Sequence, residues 1–229
     1  MICALIQARQ NSKRYNKKIF AKIDNRYLYE WVYYRLKKSK KINKIFFIVP
    51  SNNKNLELKK HLINNNIDHF TGPQNNVLKR FFLSANKTKA KHIVRICADN
   101  PFICWKSIDQ LVSFYLKSKC DYAYNHIPYK NNFPDGIGAE IISYKALKNI
   151  FLNAKKTSYK EHVFDYIWDN KKKFIVKTYN HKNKKLNYPK IRLDINTKKD
   201  FVRLNSINAK IGDSSEKIIE KFLLKFKFN

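Results

Sequence analysis

Residues 2–18 run Ile2-Cys3-Ala4-Leu5-Ile6-Gln7-Ala8-Arg9-Gln10-Asn11-Ser12-Lys13-Arg14-Tyr15-Asn16-Lys17-Lys18. The first five residues are a short apolar run of the kind that forms a strand buried on both faces. The apolar character then stops, and Arg9, Lys13, Arg14, Lys17 and Lys18 arrive among Gln7, Asn11, Ser12 and Asn16. A buried strand that opens into a polar, basic loop is where α/β proteins hold phosphates, because the loop lies outside the strand's carboxyl end. Backbone N–H groups can point at an anion there, and Arg and Lys heads add charge. A basic surface turn has the same composition, and spacing alone does not separate the two readings.

Gln7-Ala8-Arg9, Ser12, Arg14 and Lys18 together resemble the Q-A-R-x-x-S-x-R-x-x-x-K signature of cytidylyltransferases of the spore-coat polysaccharide biosynthesis type, relatives of the CMP-sialate and CMP-Kdo synthetases. The resemblance implies that Gln7, Ala8, Arg9, Ser12, Arg14 and Lys18 wrap the triphosphate of CTP, with Arg9 and Lys18 among the catalytic groups. It also implies a nucleotide-diphospho-sugar-transferase-like, Rossmann-like fold. Position 11, usually Gly in that family, and position 16, usually Pro, are both Asn here. Asn visits the left-handed region more readily than most residues, which makes it a tolerable replacement at position 11.

The rest of the chain alternates in the same style. Strands are expected over 44–50, 68–70, 92–96, 121–124, 139–143, 174–177 and 191–195. Helices are expected over 27–40, 56–63, 77–87, 107–117, 144–153, 159–169, 198–205 and 215–226. Such alternation argues for βαβ units in one α/β domain over 1–229, with a mostly parallel, mixed sheet and helices on both faces. An acceptor-side subregion is expected over about 122–190.

At 229 residues, with 44% hydrophobic and 14% aromatic content, the chain can bury a sizeable core, which excludes a disordered protein. Its net charge of +31 suits an anionic partner. The lysines are spread along the whole chain among many asparagines, however, as an AT-rich coding sequence would produce. A nucleic-acid-binding protein is therefore the rival reading, but the aromatics sit at core spacing and no recognised binding motif appears. The four cysteines form no C-x-x-C pair and read as small buried hydrophobes in a reduced compartment. The N-terminal apolar run is too short for a signal peptide, and nothing approaches ~18 apolar residues in a row. A cytoplasmic protein that engages no membrane is expected, with a homodimer left open.

With 17 acidic residues against 48 basic ones, each Asp after a buried strand is informative. Asp99 follows His92-Ile93-Val94-Arg95-Ile96-Cys97-Ala98 and would face the same crevice as the opening loop. Hard oxygen ligands there suit Mg²⁺, which binds one or two carboxylates and the substrate's phosphates. An Asx-turn before Pro101 would use the same residue. Arg95-Ile96, Asp99 and Pro101-Phe102-Ile103 are similar to the family's R-I-T-G-D-C-P-L-I, where the aspartate binds metal and belongs to the catalytic set. Arg192-Leu193-Asp194-Ile195-Asn196 is similar to R-L-T-V-D, whose metal-binding aspartate falls on Asn196. Asp194, two residues earlier on the same strand face, could supply that carboxylate instead. Asp200 is expected to cap the helix that follows.

Pro134-Asp135-Gly136-Ile137-Gly138-Ala139-Glu140 holds two of only four glycines, where average usage gives about 16. Glycines retained in so glycine-poor a chain point to backbone that no other residue fits. The segment resembles P-D-G-L-D-V-E-V, which implies that Asp135, Gly136 and Glu140 line an acceptor-sugar pocket. Glu161-His162-Val163 resembles R-E-H-V-T and adds Glu161 and His162 to that pocket, at the opening of a helix. Gly72 to Arg80 resembles G-x-x-D-D-V-L-x-R, with Asn75 and Asn76 replacing the acids and Asn76 near the nucleotide. The resulting expectation is CMP transfer from CTP to a sugar-type acceptor such as a nonulosonic acid, with release of pyrophosphate. A non-catalytic relative is the remaining alternative, prompted by Asn11, Asn76, Gly138 and Asn196.

Overall fold

The computed structural model describes residues 1–126 and 131–227. β1 (Ile2–Gln7) is followed by a long loop and a small hairpin of β2 (Lys22–Ile23) and β3 (Arg26–Tyr27), which no periodicity announces. Asp24 and Asn25, both at positive φ (47° and 61°), make its turn. Next come α1 (Leu28–Leu36), β4 (Lys44–Pro50), α2 (Leu56–Asn64), β5 (His69–Gly72), α3 (Val77–Lys87), β6 (His92–Cys97) and α4 (Trp105–Ser118). β7 (Tyr122–Tyr124), β8 (Glu140–Ser143), α5 (Tyr144–Asn153), α6 (Thr157–Glu161), α7 (Asp165–Asp169), β9 (Val176–Thr178), α8 (Lys198–Asn205) and α9 (Ser215–Phe226) complete the chain.

The main sheet runs β5-β4-β1-β6-β8-β7-β9. β5, β4, β1 and β6 are parallel, and β8 is antiparallel to both of its neighbours, so the sheet is mixed as expected. Alternation along β1 explains the burial of Ile2 to Ile6. Ala4 and Ile6 pack with Val32, Leu62 and Leu111 of the helices on one face, while Cys3 and Leu5 pack with Phe81 and Leu147 on the other. Chain order reverses between β1 and β6, which opens a crevice at their carboxyl ends. A third apolar cluster joins Trp31, Phe102 and Phe133 to Ile191, Leu193 and Ile195 and to α8 and α9.

Three expected elements differ in kind or extent, and several others by one or two residues at their ends. α1 stops at Leu36 because Asp109 of α4 accepts the backbone N–H groups of Lys40 and Lys41 and the Ser39 hydroxyl, ending the helical run. The helix expected over 159–169 is two short helices, because Val163 and Phe164 between them both turn into the core. Residues 191–195 are extended but form no ladder; Leu193 N–H donates to Asp135 O and Ile195 N–H to Asp99 O, both at 2.9 Å. That segment is therefore pinned across the strand ends instead of joining the sheet.

Among the described residues no helix is long and apolar enough to cross a membrane. All four cysteines are free; Cys97 is half-buried and the other three are buried. The glycine-rich segment behaves as its composition implies. Gly136 has φ +91°, and a Cβ on Gly138 would lie 2.1 Å from the backbone oxygen of Asn125.

Candidate active site

The loop after β1 is fixed by Gln10. Its backbone N–H donates to Asn55 Oδ1 at 2.8 Å, its amide donates to Glu57, and its Oε1 accepts from Leu58 N–H. Lys17 adds an ion pair to Glu57 at 2.8 Å. The chain then reverses at Lys17, whose φ is 51°; Asn11 is not among the positive-φ residues, so the left-handed position expected there is absent.

The reversal drives Lys18 inward. Its Nζ lies 2.7 Å from Asp99 Oδ2 and 2.9 Å from the Ile195 carbonyl, and the residue is 4% exposed. Lys18 is thus buried behind Asp99 and does not line the crevice.

The crevice is a cavity of about 910 Å³ bounded by the loop after β1, the starts of α2 and α3, the end of β6, and α6. Six basic side chains line it (Arg9, Lys13, Arg14, Lys54, Arg80 and Arg95) against two carboxylates, Asp99 and Glu161. α2 and α3 both begin at its wall, which adds the partial positive charge of helix N-termini. This surface is built for a polyanion.

Arg80 gives the strongest sign of a missing partner. It is 3% exposed and, among the described residues, makes hydrogen bonds only to the Pro73 and Gln74 carbonyls and leaves Nε unpaired. Burial first, and then the charge of Arg9, pull its pKa down to about 10. Gly72 makes room for it, since a Cβ there would lie 2.9 Å from Arg80 Cγ. A buried cation with no carboxylate beside it is costly until an anion arrives. Arg95 is compensated from within, by an ion pair to Glu140 and a 3.4 Å contact to Gln7 Oε1.

The residues singled out from sequence separate into three groups. Gln7, Ala8, Arg9, Ser12, Arg14, Asp99, Glu161 and His162 share the cavity wall. Asn76 caps α3, accepting from Lys79 N–H at 2.8 Å, while its neighbour Asn75 faces the cavity. Asp135, Gly136, Glu140, Asp194 and Asn196 lie outside the wall.

Glu140 is buried, bound by Arg95 and the Tyr122 hydroxyl. Burial pushes its pKa up, but Arg95 foremost, then His126 and Tyr122, hold it below the usual carboxylate range. Asp194 is held at both oxygens by Arg192, at 3.2 and 3.0 Å, and also receives the Asn196 amide. Burial and the Asp194 charge push Asp135 up, against His126 and Arg192. Glu161 ends α6 instead of opening a helix, with His162 just past it. Asp200 caps α8 in a reciprocal pair with Thr197.

Sequence reading passed over Arg80, Arg95, Lys54 and Thr157 on the cavity wall. Arg80 and Arg95 both stand inside motif-like stretches, so the signal existed. Burial marks Arg80 and the ion pair to Glu140 marks Arg95, and neither is visible in a linear motif.

Among the described residues no group of three or more His, Cys, Asp or Glu could hold a metal ion. Asp99 nevertheless fits a divalent cation of the Mg²⁺ kind, which needs one protein carboxylate when phosphates supply further oxygens. Lys18 takes its Oδ2, and its side chain is 37% exposed at the cavity.

The family described as cytidylyltransferase matches residues 3–223. An uncharacterized protein of Methanocaldococcus jannaschii is 35% identical over 203 residues, spanning 87% of this chain and 80% of that protein. The spore coat polysaccharide biosynthesis protein SpsF of Bacillus subtilis is 26% identical over 217 residues, spanning 93% and 88%. Among solved structures, a cytidylyltransferase from Leptospira borgpetersenii superposes with a TM-score of 0.89 at 24% identity, covering 98% of this chain and 94% of that one.

Proposed function

This chain belongs to the cytidylyltransferase family, and on that premise we propose that it transfers CMP from CTP to a sugar-type acceptor, releasing pyrophosphate. The observation that carries the reading is the cavity at the β1/β6 reversal, with six cations facing two carboxylates. An acceptor oxygen attacks the α-phosphorus in line, and the β-phosphate oxygen leaves with pyrophosphate. Such chemistry needs alignment and charge neutralisation more than covalent help.

Arg9, Ser12 and Arg14 hold the triphosphate, and Arg80 supplies a desolvated charge beneath it. Asp99 would hold a divalent cation, Mg²⁺ in the first instance, which would supply positive charge to offset that of the phosphates. Lys18 fixes the carboxylate of Asp99 from behind. Thr157, Glu161 and His162, within the acceptor-side subregion of about 122–190, close the far end of the cavity and face the acceptor. Asp135 and Gly136 shape the segment that leads to Glu140, and Glu140 acts through Arg95. The relationship to a spore coat polysaccharide biosynthesis protein supports a surface-glycan precursor, such as a nonulosonic acid, as that acceptor.

The test is pyrophosphate release with each of the four nucleoside triphosphates, with Mg²⁺, against a panel of nonulosonic acids and sugar phosphates. Turnover confined to CTP with a sugar acid supports the reading. Equal turnover with all four, or none with any acceptor, refutes it.

A further inference from the structure

Arg192, Asp194 and Asn196, which no step of the reaction above uses, form one continuous hydrogen-bonded run that ends on Arg14. Arg192 Nε and Nη2 reach the two oxygens of Asp194 at 3.2 and 3.0 Å. Asn196 Nδ2 donates to Asp194 Oδ2, and Asn196 Oδ1 accepts from Arg14 Nη2 at 2.6 Å. The backbone under this run is immobilised, because Leu193 and Ile195 donate their N–H groups to Asp135 and Asp99. Alternation then puts the side chains of residues 192, 194 and 196 on one side.

The chemistry of the run depends on the amide at 196. The amide donates to a carboxylate at one end and accepts from a guanidinium at the other, whereas an ionised carboxylate could only accept. An Asp there would set two carboxylates against each other. Among the described residues Arg14 has no carboxylate partner, so Asn196 is what holds its long side chain in one place. A guanidinium ordered in advance loses less rotamer freedom when an anion binds, and its remaining N–H donors stay free for that anion.

We propose that Asp194 is a positioning residue for nucleotide binding: through Asn196 it orients Arg14 toward the triphosphate, and it does not serve as a metal ligand. The inference rests on the phosphate-binding role given to Arg14 above, and it adds a contact between the extended segment 191–196 and the phosphate loop.

The experiment is calorimetric titration of CTP into metal-free protein, with chelator present, for wild type, Asp194→Ala, Asp194→Asn, Asn196→Ala, Arg14→Ala and the Arg14→Ala/Asp194→Ala double variant. Asp194→Ala and Asn196→Ala are each expected to weaken CTP by about tenfold, the size of a lost hydrogen bond to a charged group. Asp194→Asn keeps an acceptor oxygen and should lose less. In the Arg14→Ala background, Asp194→Ala should add nothing. The metal concentration for half-maximal turnover should be the same in Asp194→Ala and wild type. Thermal midpoints check folding, and Asn196→Ala, which leaves the Arg192–Asp194 pair intact, is the second route if Asp194→Ala unfolds. Undiminished metal-free affinity in both single Ala variants, or a full tenfold loss in the Arg14→Ala background, overturns the proposal. So does a loss seen only with metal and accompanied by a shifted metal midpoint. Wild-type protein that fails to bind CTP overturns the functional reading itself and this inference with it.

Discussion

Lys18 Nζ and Asp99 Oδ2 lie 2.7 Å apart, with the lysine buried and the aspartate at the cavity edge. The asymmetry of exposure has consequences for each partner. Asp99→Asn leaves an ammonium buried against one backbone carbonyl, a loss on the order of 3 kcal/mol when a buried pair is broken from one side. Lys18→Met removes the buried charge itself and leaves Asp99 to water, so it should cost less. Urea unfolding of both variants measures the difference, and a larger loss in Lys18→Met would sink this account. Both variants are expected to lose turnover.

Arg80 behaves oppositely. Its charge is buried without a carboxylate, so Arg80→Met should leave the thermal midpoint of the ligand-free protein unchanged or raised. The same variant should weaken CTP by about tenfold or more, since charge-assisted hydrogen bonds are worth roughly 1.5–3 kcal/mol. Scanning fluorimetry with and without CTP reads both effects at once. A variant that is unstable yet binds CTP normally would assign Arg80 to loop structure alone.

The glycines make a paired prediction. A Cβ at position 138 would sit 2.1 Å from Asn125 O, whereas at Gly212 it meets nothing within 4 Å. Gly138→Ala should therefore destabilise by about 3 kcal/mol or more, because neither backbone can yield. Gly212→Ala should stay within about 0.5 kcal/mol of wild type. Denaturant midpoints for the two variants suffice, and a tolerated Ala at 138 would contradict the close approach.

Asp213 gives the pH dependence. Burial pushes its carboxyl up, but Lys221, the Lys210 N–H and Lys217 together hold it down at about 2. A depressed carboxylate contributes stability above its unfolded pKa of about 3.9 and loses it as pH falls through the folded value. Asp213→Asn should thus cost roughly 2 kcal/mol at neutral pH, and the gap to wild type should close between about pH 4 and pH 2. Unfolding curves across that range check the sign. A gap that stays constant with pH would show the loss to be one of packing.

Periodicity carried much of this protein. The alternation of Cys3 and Leu5 with Ala4 and Ile6 marks a strand buried on both faces, and the basic residues after it mark an anion loop, because both signals are local. Helices 77–87, 144–153, 198–205 and 215–226 were legible to the residue for the same reason: caps and apolar spacing act within a turn or two. The resemblance to the family was legible too, since it rests on residue types in order.

Partners were decided by the tertiary structure. The Ile195 carbonyl that holds Lys18 is 177 residues away, and the Asp109 carboxylate that ends α1 is on another helix. The same holds for Glu140, which is buried outside the cavity wall and bound by Arg95 and Tyr122, and for 191–195, which lies across strand ends and joins no ladder. A charged side chain settles where burial, an opposite charge and free hydrogen-bond groups coincide, and that coincidence forms only once distant segments have packed.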